Sequence, residues 1–215
     1  MRTLADGVHV LERPQRFFGL EVGARMTVLE TDAGLLVHSP VVAPDAVALP
    51  EAARWVLAPN KLHHLYVGPW LESAEGWLAP GLPEKRPDLR AHGVVQGDVQ
   101  PFGPDLKVFP LTCFPLANEV VVLHRPSRTL VVSDLVFNVQ PDAPWLTRAA
   151  MFCACGYPGC RTTLLEVALF RREAGRRELR ALLEEDWDRL VLAHGAVIES
   201  GGKDALRGAF RWLGL

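Results

Sequence analysis

Apolar residues along the chain form short runs separated by connections rich in Pro, Gly and Asp, which is typical of a strand-rich protein. Residues 25–39 contain two such runs around Asp32-Ala33-Gly34, and this predicts a hairpin because Gly34 can adopt positive φ. Other apolar runs predict strands at 55–58, 76–80, 106–111, 119–123, 129–133 and 189–193. The polar connection around Pro126 is short, which indicates that 119–123 and 129–133 pair antiparallel.

Helical periodicity is concentrated in the last third of the chain. Three segments predict helices there, at 145–152, 176–185 and 204–213. Pro44 next to Asp45 also suits a helix start, so a helix is predicted within 44–54, with Pro50 as a break. Strands dominate the first two thirds and alternate with helices in the last third. We therefore expect an α+β fold in which helices cover mixed sheets in layers.

Length and composition are those of an ordinary globular protein. The 215 residues fit a single domain spanning 1–215, with 49% apolar and 22% charged residues. The 23 basic and 25 acidic side chains give a net charge of −2 with no block of like charge, so neither nucleic acid nor a membrane is expected as a partner. The N-terminal residues lack the apolar core of a signal peptide, so the protein is expected to be cytoplasmic.

Three predicted strands end on side chains that can bind metals. His63 and His64 follow 55–58, Asp134 follows 129–133, and His194 follows 189–193. Chemistry collects at the carboxyl ends of strands in α/β proteins, so we expect these ends to meet. Imidazole and carboxylate groups bind zinc, iron or manganese, and a metal bound this way acidifies its water. Asp134 and His64 are the candidates for catalysis. The alternative is that each residue caps its strand or is solvated.

Two further sets of polar residues are candidates for supporting or separate roles. Asn60, Asn118 and Glu119 lie at strand boundaries, where they could orient a ligand from outside the metal shell or remain solvated at a sheet edge.

A cysteine trio forms the second set: Cys153, Cys155 and Cys160 lie close together in FCACGYPGC. These thiolates could hold zinc or an iron–sulfur centre, although the trio contains no C-x-x-C pair. Alternatively they are small, partly buried residues around a turn, or they have a redox role. No G-x-S-x-G, G-x-G-x-x-G or G-x-x-x-x-G-K-[ST] motif is present, which argues against a serine hydrolase and a nucleotide-binding protein.

In order and in motif, these segments resemble the metallo-β-lactamase-like superfamily. VLAPNKLHHLYVG is similar to the strand and loop where that family has T-H-x-H-x-D-H, and NEVVVLHRPSRTLVVSDLVF is similar to its hairpin leading to G-D-x-x-F. DRLVLAHGAVIESGGKDALRGAF is similar to its closing strand, G-H-G segment and final helix. The resemblance implies a four-layer αββα sandwich with a metal site at the edge of two facing sheets. The A-P-N-x-x-H-H, N-E-V-V and H-R-P-S-R-T-L elements resemble an uncharacterised branch of the superfamily.

Several residues match the family's metal ligands and others depart from them. Asp134 stands at the bridging carboxylate and His194 at the last histidine, whereas Asn60 and Leu62 stand where the first two histidines belong. His64 falls on the aspartate position, or on the third histidine after a one-residue shift.

The ligand histidine before the strand at 119–123 is absent, with Phe114 or Pro115 in its place. The resemblance therefore implies one metal at most, zinc or iron, held by His63 or His64 with Asp134 and His194. Its function would be metal-dependent hydrolysis of a small molecule. The alternative is a non-catalytic protein that binds a small molecule or partner without metal.

Overall fold

The computed structural model describes residues 1–97 and 100–215. Within them the strands are β1 (Arg2–Ala5), β2 (Val8–Arg13), β3 (Arg16–Phe17), β4 (Leu20–Glu21), β5 (Ala24–Thr31), β6 (Gly34–His38), β7 (Ala53–Ala58), β8 (Glu75–Leu78), β9 (Gly93–Val94), β10 (Leu106–Pro110), β11 (Val120–His124), β12 (Thr129–Val131), β13 (Phe137–Val139), β14 (Gly159–Arg161) and β15 (Arg189–Val191). The helices are α1 (Val67–Trp70), α2 (Leu82–Lys85), α3 (Trp145–Cys153), α4 (Leu164–Leu169), α5 (Arg172–Glu184) and α6 (Gly202–Ala209), with 3-10 turns at Pro44–Ala46 and Arg211–Leu213.

The strands form two main sheets. The first sheet has the order β1-β2-β5-β6-β7-β8-β9, and the second has the order β10-β11-β12-β15. In the first sheet β1, β2, β5 and β6 are antiparallel, whereas β6 to β9 run parallel. In the second sheet β10, β11 and β12 are antiparallel, and β15 joins β12 in parallel. The carboxyl ends of β12 and β15 therefore lie side by side.

Alternating side chains of the second sheet separate two cores. Val120 and Val122 of β11 pack in the core shared with the first sheet, which includes Leu36 and Leu57. Successive strand residues point to opposite faces, so Val121 faces the other way, into a core formed with helices α5 and α6. That outer core takes Leu179 and Leu182 from α5 and Leu206 from α6.

The far side of the first sheet is covered by α1 and the segments around it. Met26, Val28 and Val56 pack against Trp70, whose indole N–H donates to the Val42 carbonyl at 2.8 Å. The order of layers is helix, sheet, sheet, helix, which confirms the predicted α+β, αββα sandwich. None of the described helices has the length and apolar character required to cross a membrane.

The predicted hairpin at 25–39 is confirmed as β5–β6, and Gly34 adopts φ 130°. The predicted helix within 44–54 is wrong, because only Pro44–Ala46 form a single 3-10 turn and Val47 is already extended. Pro50 removes a backbone donor, and a residue preceding proline is disfavoured in the α conformation.

Candidate metal centre

The carboxyl ends of β12 and β15 deliver two of the candidate ligands in matching register. Val131 pairs with Val191, and Asp134 and His194 each follow three residues later. The loop after β7 comes from the facing sheet and is tied to the second sheet by the Val120 N–H, which donates to the Pro59 carbonyl at 2.7 Å. This loop brings His63 to the same place.

His63, Asp134 and His194 meet as one cluster. The Nε2 atoms of the two histidines are 3.3 Å apart. Each also lies 3.3 Å from Asp134, His63 Nε2 from Oδ2 and His194 Nε2 from Oδ1. Among the described residues these three form a group of metal-ligating type whose donor atoms lie within 4.8 Å of one another.

Asn60 supports this cluster from the β7 loop. Its side-chain N–H donates to Asp134 Oδ2 at 2.8 Å, and its Oδ1 accepts the backbone N–H groups of Leu62 and His63, both at 2.8 Å. Asn60 is fully buried, so these bonds are shielded from water. The amide thereby fixes the loop and the carboxylate together, and Asn60 orients the cluster from outside it.

Replacing Asn60 with alanine is expected to lower the free energy of unfolding by about 1–3 kcal/mol, because buried N–H groups lose their acceptor. Chemical denaturation of the two proteins measures this. Leu62→Ala, at an exposed side chain of the same loop, is the control and should cost less. Equal midpoints for wild type and Asn60→Ala would contradict the role given to the amide.

Glu119 anchors the backbone that carries Asp134. Its Oε1 accepts the Ser133 N–H at 2.6 Å and its Oε2 accepts the Asp134 N–H at 2.7 Å. Burial, and then the neighbouring charge of Asp134, raise the pKa of Glu119 to about 8. The carboxyl group contacts the peptide of Asp134 and does not contact either histidine of the cluster directly, so it positions the strand end.

The charges of the cluster favour one another. Burial alone would raise the pKa of Asp134, but the histidines His63 and His194 outweigh it and hold that pKa well below its usual range. Burial would lower the pKa of His194, and the hydrogen bond and charge of Asp134 raise it instead. The arrangement stabilises an anionic carboxylate facing two imidazoles.

His194 is held from behind by backbone and by an aromatic ring. Its Nδ1 lies 2.7 Å from the Gly23 carbonyl, which can only accept, so Nδ1 carries a proton and donates. Phe137 stacks on the imidazole with ring centroids 5.8 Å apart and an angle of 17° between the planes. Both contacts aim Nε2 into the cluster.

Arg25 ties the strand end that carries His194 to the first sheet. It is buried, and its guanidinium donates to the carbonyls of Leu192 and of Gly195, the latter at 2.6 Å. The same group donates to Glu12 at 2.9 Å. One side chain of β5 thus satisfies two carbonyls on either side of His194.

Two of the predicted site residues lie elsewhere. The guanidinium of Arg86 donates to His64 Nδ1 at 2.7 Å, and burial followed by the charges of Lys85 and Arg86 lowers the pKa of His64. The imidazole of His64 therefore faces α2 and is outside the cluster. Asn118 donates to the Pro80 carbonyl at 3.1 Å and likewise does not reach it.

The cysteine trio is not brought together as a metal group. Cys153 and Cys155 are exposed at the end of α3, and Cys160 is partly buried in β14. Burial raises the pKa of Cys160 to about 12, which disfavours the thiolate needed for metal binding. Within residues 1–97 and 100–215, the group of metal-ligating residues found contains none of the cysteines.

Sequence reasoning missed three residues that contact the cluster or its frame: Ser39, Arg25 and Phe137. Ser39 is the last residue of the predicted hairpin at 25–39, and its place at a strand end, like that of the ligands, was a usable signal. Arg25 and Phe137 carry no such signal, because an arginine within a strand and an aromatic after one are common in any sheet protein.

The three donors fit a single metal ion. Zinc bonds to imidazole nitrogen and carboxylate oxygen measure about 2.0–2.2 Å, so tetrahedral ligand atoms lie about 3.3 Å apart. The two Nε2 atoms lie at this separation, each lies at it from one of the two Asp134 oxygens, and one donor atom from each residue lies within 4.8 Å of the others. Two histidines and one carboxylate also suit non-haem iron. Three protein donors leave a position open, as in catalytic zinc sites.

Comparisons with known proteins identify the fold. No family model and no curated protein matches the chain. A metallo-β-lactamase from Pontibacter korlensis matches with a TM-score of 0.66 at 13% identity, covering 99% of this chain and 97% of that one. The metallo-β-lactamase FIM-1 from Pseudomonas aeruginosa, solved in its mono-zinc form, matches with a TM-score of 0.68 at 10% identity, covering 97% and 92%.

A third match lies in a longer protein. The metal-soaked flavodiiron core of Flv1 from Synechocystis sp. PCC6803 matches with a TM-score of 0.66 at 12% identity, covering 98% of this chain and 59% of that chain. At these identities the likeness is one of fold. The chain has the metallo-β-lactamase fold, with a His–Asp–His group at the edge of its two sheets.

Proposed function

We propose that this protein is a metal-dependent hydrolase that uses one zinc or iron ion held by His63, Asp134 and His194. The observation that carries the proposal is the spacing of the donor groups: the two Nε2 atoms lie 3.3 Å apart, and each lies 3.3 Å from one oxygen of Asp134, Oδ2 for His63 and Oδ1 for His194. A small molecule is the proposed substrate, which is in keeping with the fold neighbours that are metallo-β-lactamases.

Each residue of the cluster has a separate task in this proposal. A bound metal would supply Lewis acidity and lower the pKa of water to near neutrality. His63 and His194 present Nε2 atoms, and Asp134 contributes the negative charge. Asn60 holds the carboxylate and Glu119 holds the backbone of Asp134, and such supporting contacts typically change metal affinity by about 10–100-fold. Phe137 shields one face of His194 from solvent.

Metal analysis of the protein purified without added metal tests the proposal. Wild type is expected to hold about one ion per chain, both as purified and after anaerobic incubation with zinc or iron(II). Asp134→Ala and His194→Ala are expected to lose it, because two donors retain little affinity for a divalent ion. Plasma emission spectrometry measures the content, and circular dichroism verifies that the variants fold.

Two matched variants make the result specific. His64→Ala removes the neighbouring histidine that faces Arg86, and Cys155→Ser removes an exposed thiol. Both are expected to keep the metal. An ion that survives Asp134→Ala and disappears in Cys155→Ser would place the site at the cysteines. A wild type that holds no zinc or iron after incubation would refute the proposal.

A second candidate function is a non-catalytic protein that binds a small molecule or partner without metal. The observation that favours it is that Asp134 is already surrounded by hydrogen-bonding groups, with Asn60 donating to it and both histidines at 3.3 Å. Asn60 and Leu62 also occupy positions that the resemblance assigns to ligands. A wild type that holds no metal after incubation with zinc or iron(II) would support this function.

A further inference from the structure

Ser39 occupies an unusual backbone position beside the cluster. It follows β6 immediately and adopts φ 53°, a left-handed conformation that a non-glycine residue enters only at a cost. Its N–H donates to the Leu57 carbonyl of β7 at 3.0 Å, and only 2% of the residue is exposed. The chain therefore holds this side chain in one place.

The hydroxyl of Ser39 meets the ring nitrogen of His63 that faces away from the cluster. Ser39 Oγ lies 2.7 Å from His63 Nδ1, while His63 Nε2 lies 3.3 Å from Asp134. Because the imidazole is rigid, a hydrogen bond at Nδ1 sets the direction in which Nε2 points. We propose that Ser39 is the positioning residue of His63, a role that rests on the proposed metal site.

The two histidines of the cluster have different partners at Nδ1. His194 faces the Gly23 carbonyl, which only accepts, so its Nδ1 always carries a proton. Ser39 has a hydroxyl, which can donate or accept. The partner at Nδ1 therefore fits either tautomer of a neutral His63 ring without a change in the ring's orientation.

This freedom matters when a metal ion arrives. Without metal, Nε2 of His63 can carry the proton and donate to Asp134, while the hydroxyl of Ser39 donates to Nδ1. With metal, Nε2 must offer its lone pair, so the proton resides on Nδ1 and the hydroxyl accepts it. The hydroxyl of Ser39 can satisfy Nδ1 in either tautomer. A carbonyl or a methyl group at this position could serve at most one of them.

Zinc titrations of metal-free wild type, Ser39→Ala and Ser39→Gly test the inference, with a chelator of known affinity as competitor. Both variants are expected to bind zinc about 10–100-fold more weakly, the range for loss of a supporting partner of a ligand histidine. Ser39→Gly separates the hydroxyl from the backbone, because glycine accepts positive φ. Its thermal midpoint should match or exceed that of Ser39→Ala while its zinc affinity stays low.

A spectroscopic measurement distinguishes positioning from general stability. Two-bond proton–nitrogen NMR spectra of the histidine rings report which nitrogen carries the proton. In wild type, zinc is expected to move the His63 proton to Nδ1, and His194 is expected to keep its proton on Nδ1 with and without zinc. In Ser39→Gly the His63 ring should give broadened or averaged nitrogen signals without zinc.

The outcomes are distinct for the two proposals. Wild-type zinc affinity in both Ser39 variants, with a site that loses zinc in Asp134→Ala, would overturn the role of Ser39 and leave the metal site standing. A wild type that binds no zinc would overturn the metal site, and the role of Ser39 with it.

Discussion

Replacing Arg25 with methionine is expected to lower the free energy of unfolding by about 2–6 kcal/mol. The guanidinium donates to the Leu192 and Gly195 carbonyls, and each would lose a charged donor in a buried setting at a cost of about 1–3 kcal/mol. Methionine keeps much of the side-chain length, so the loss is mainly one of hydrogen bonds. Urea unfolding followed by tryptophan fluorescence measures it.

Glu12→Gln is the matched control for this prediction. Glu12 is the other partner of Arg25, and the side chain of Glu12 is 52% exposed. Loss of the Glu12 charge is therefore expected to cost less than about 1 kcal/mol. Arg25→Lys is expected to lie near Arg25→Met, because an ammonium cannot reach two carbonyls with the geometry of a guanidinium. A change below about 1 kcal/mol in Arg25→Met would contradict the role of the guanidinium as a tie across the two sheets.

The buried imidazole of His38 is expected to make the protein sensitive to acid. Burial, and then the charge of His63, lower the pKa of His38 from its ordinary 6.5 to about 3. The native state therefore keeps His38 neutral, while the unfolded state binds a proton below pH 6.5. Where the unfolded state binds more protons than the native state, the free energy of unfolding falls as the pH decreases. His38 is therefore expected to cost about 1.4 kcal/mol per pH unit below 6.5, and about 5 kcal/mol at pH 3.

Comparison with His38→Leu isolates this contribution, since every other titrating group is present in both proteins. The Nε2 of His38 has no hydrogen-bond partner among the described residues, so leucine removes a polar atom that is buried unpaired. Free energies of unfolding measured from pH 8 to pH 4 are expected to run parallel above 6.5 and to diverge below it, with wild type the less stable. Parallel curves down to pH 4 would show that His38 is protonated in the native state.

The convergence of the strand ends could be anticipated from the sequence, because β12 and β15 leave one sheet in parallel. Asp134 and His194 follow strands that the apolar pattern already delimits. Which of His63 and His64 joins the cluster could not be predicted, because the loop that carries them has no repeating pattern of apolar and polar residues. Two hydrogen bonds decide it: the His63 N–H donates to Asn60 Oδ1, and the Arg86 guanidinium donates to His64 Nδ1. The second joins residues 22 positions apart in the chain, so no local pattern reveals it.

The fold was predictable wherever apolar runs were long and bounded by turns, as at β5–β6 and β11–β12. The strands β1 and β2 were not assigned, because β1 contains only Leu4 and Ala5 as apolar residues and His9 interrupts the apolar run of β2. Helix α4 was also missed, although Thr163 and Glu166 form a capping box that is visible in T-L-L-E. Short helices stabilised by one cap give too little periodicity to be found by pattern alone.

His194 follows β15, a strand of three residues at the edge of the second sheet, whereas His63 follows β7 inside the first. Leu190 and Val191 of this strand are buried, and Ile198 bridges Leu190. Because its ligands come from both sheets, a metal ion bound by His63, Asp134 and His194 would cross-link the two sheets. Such an ion would bind the folded chain and not the unfolded one, so the free energy of unfolding would rise with the concentration of free metal.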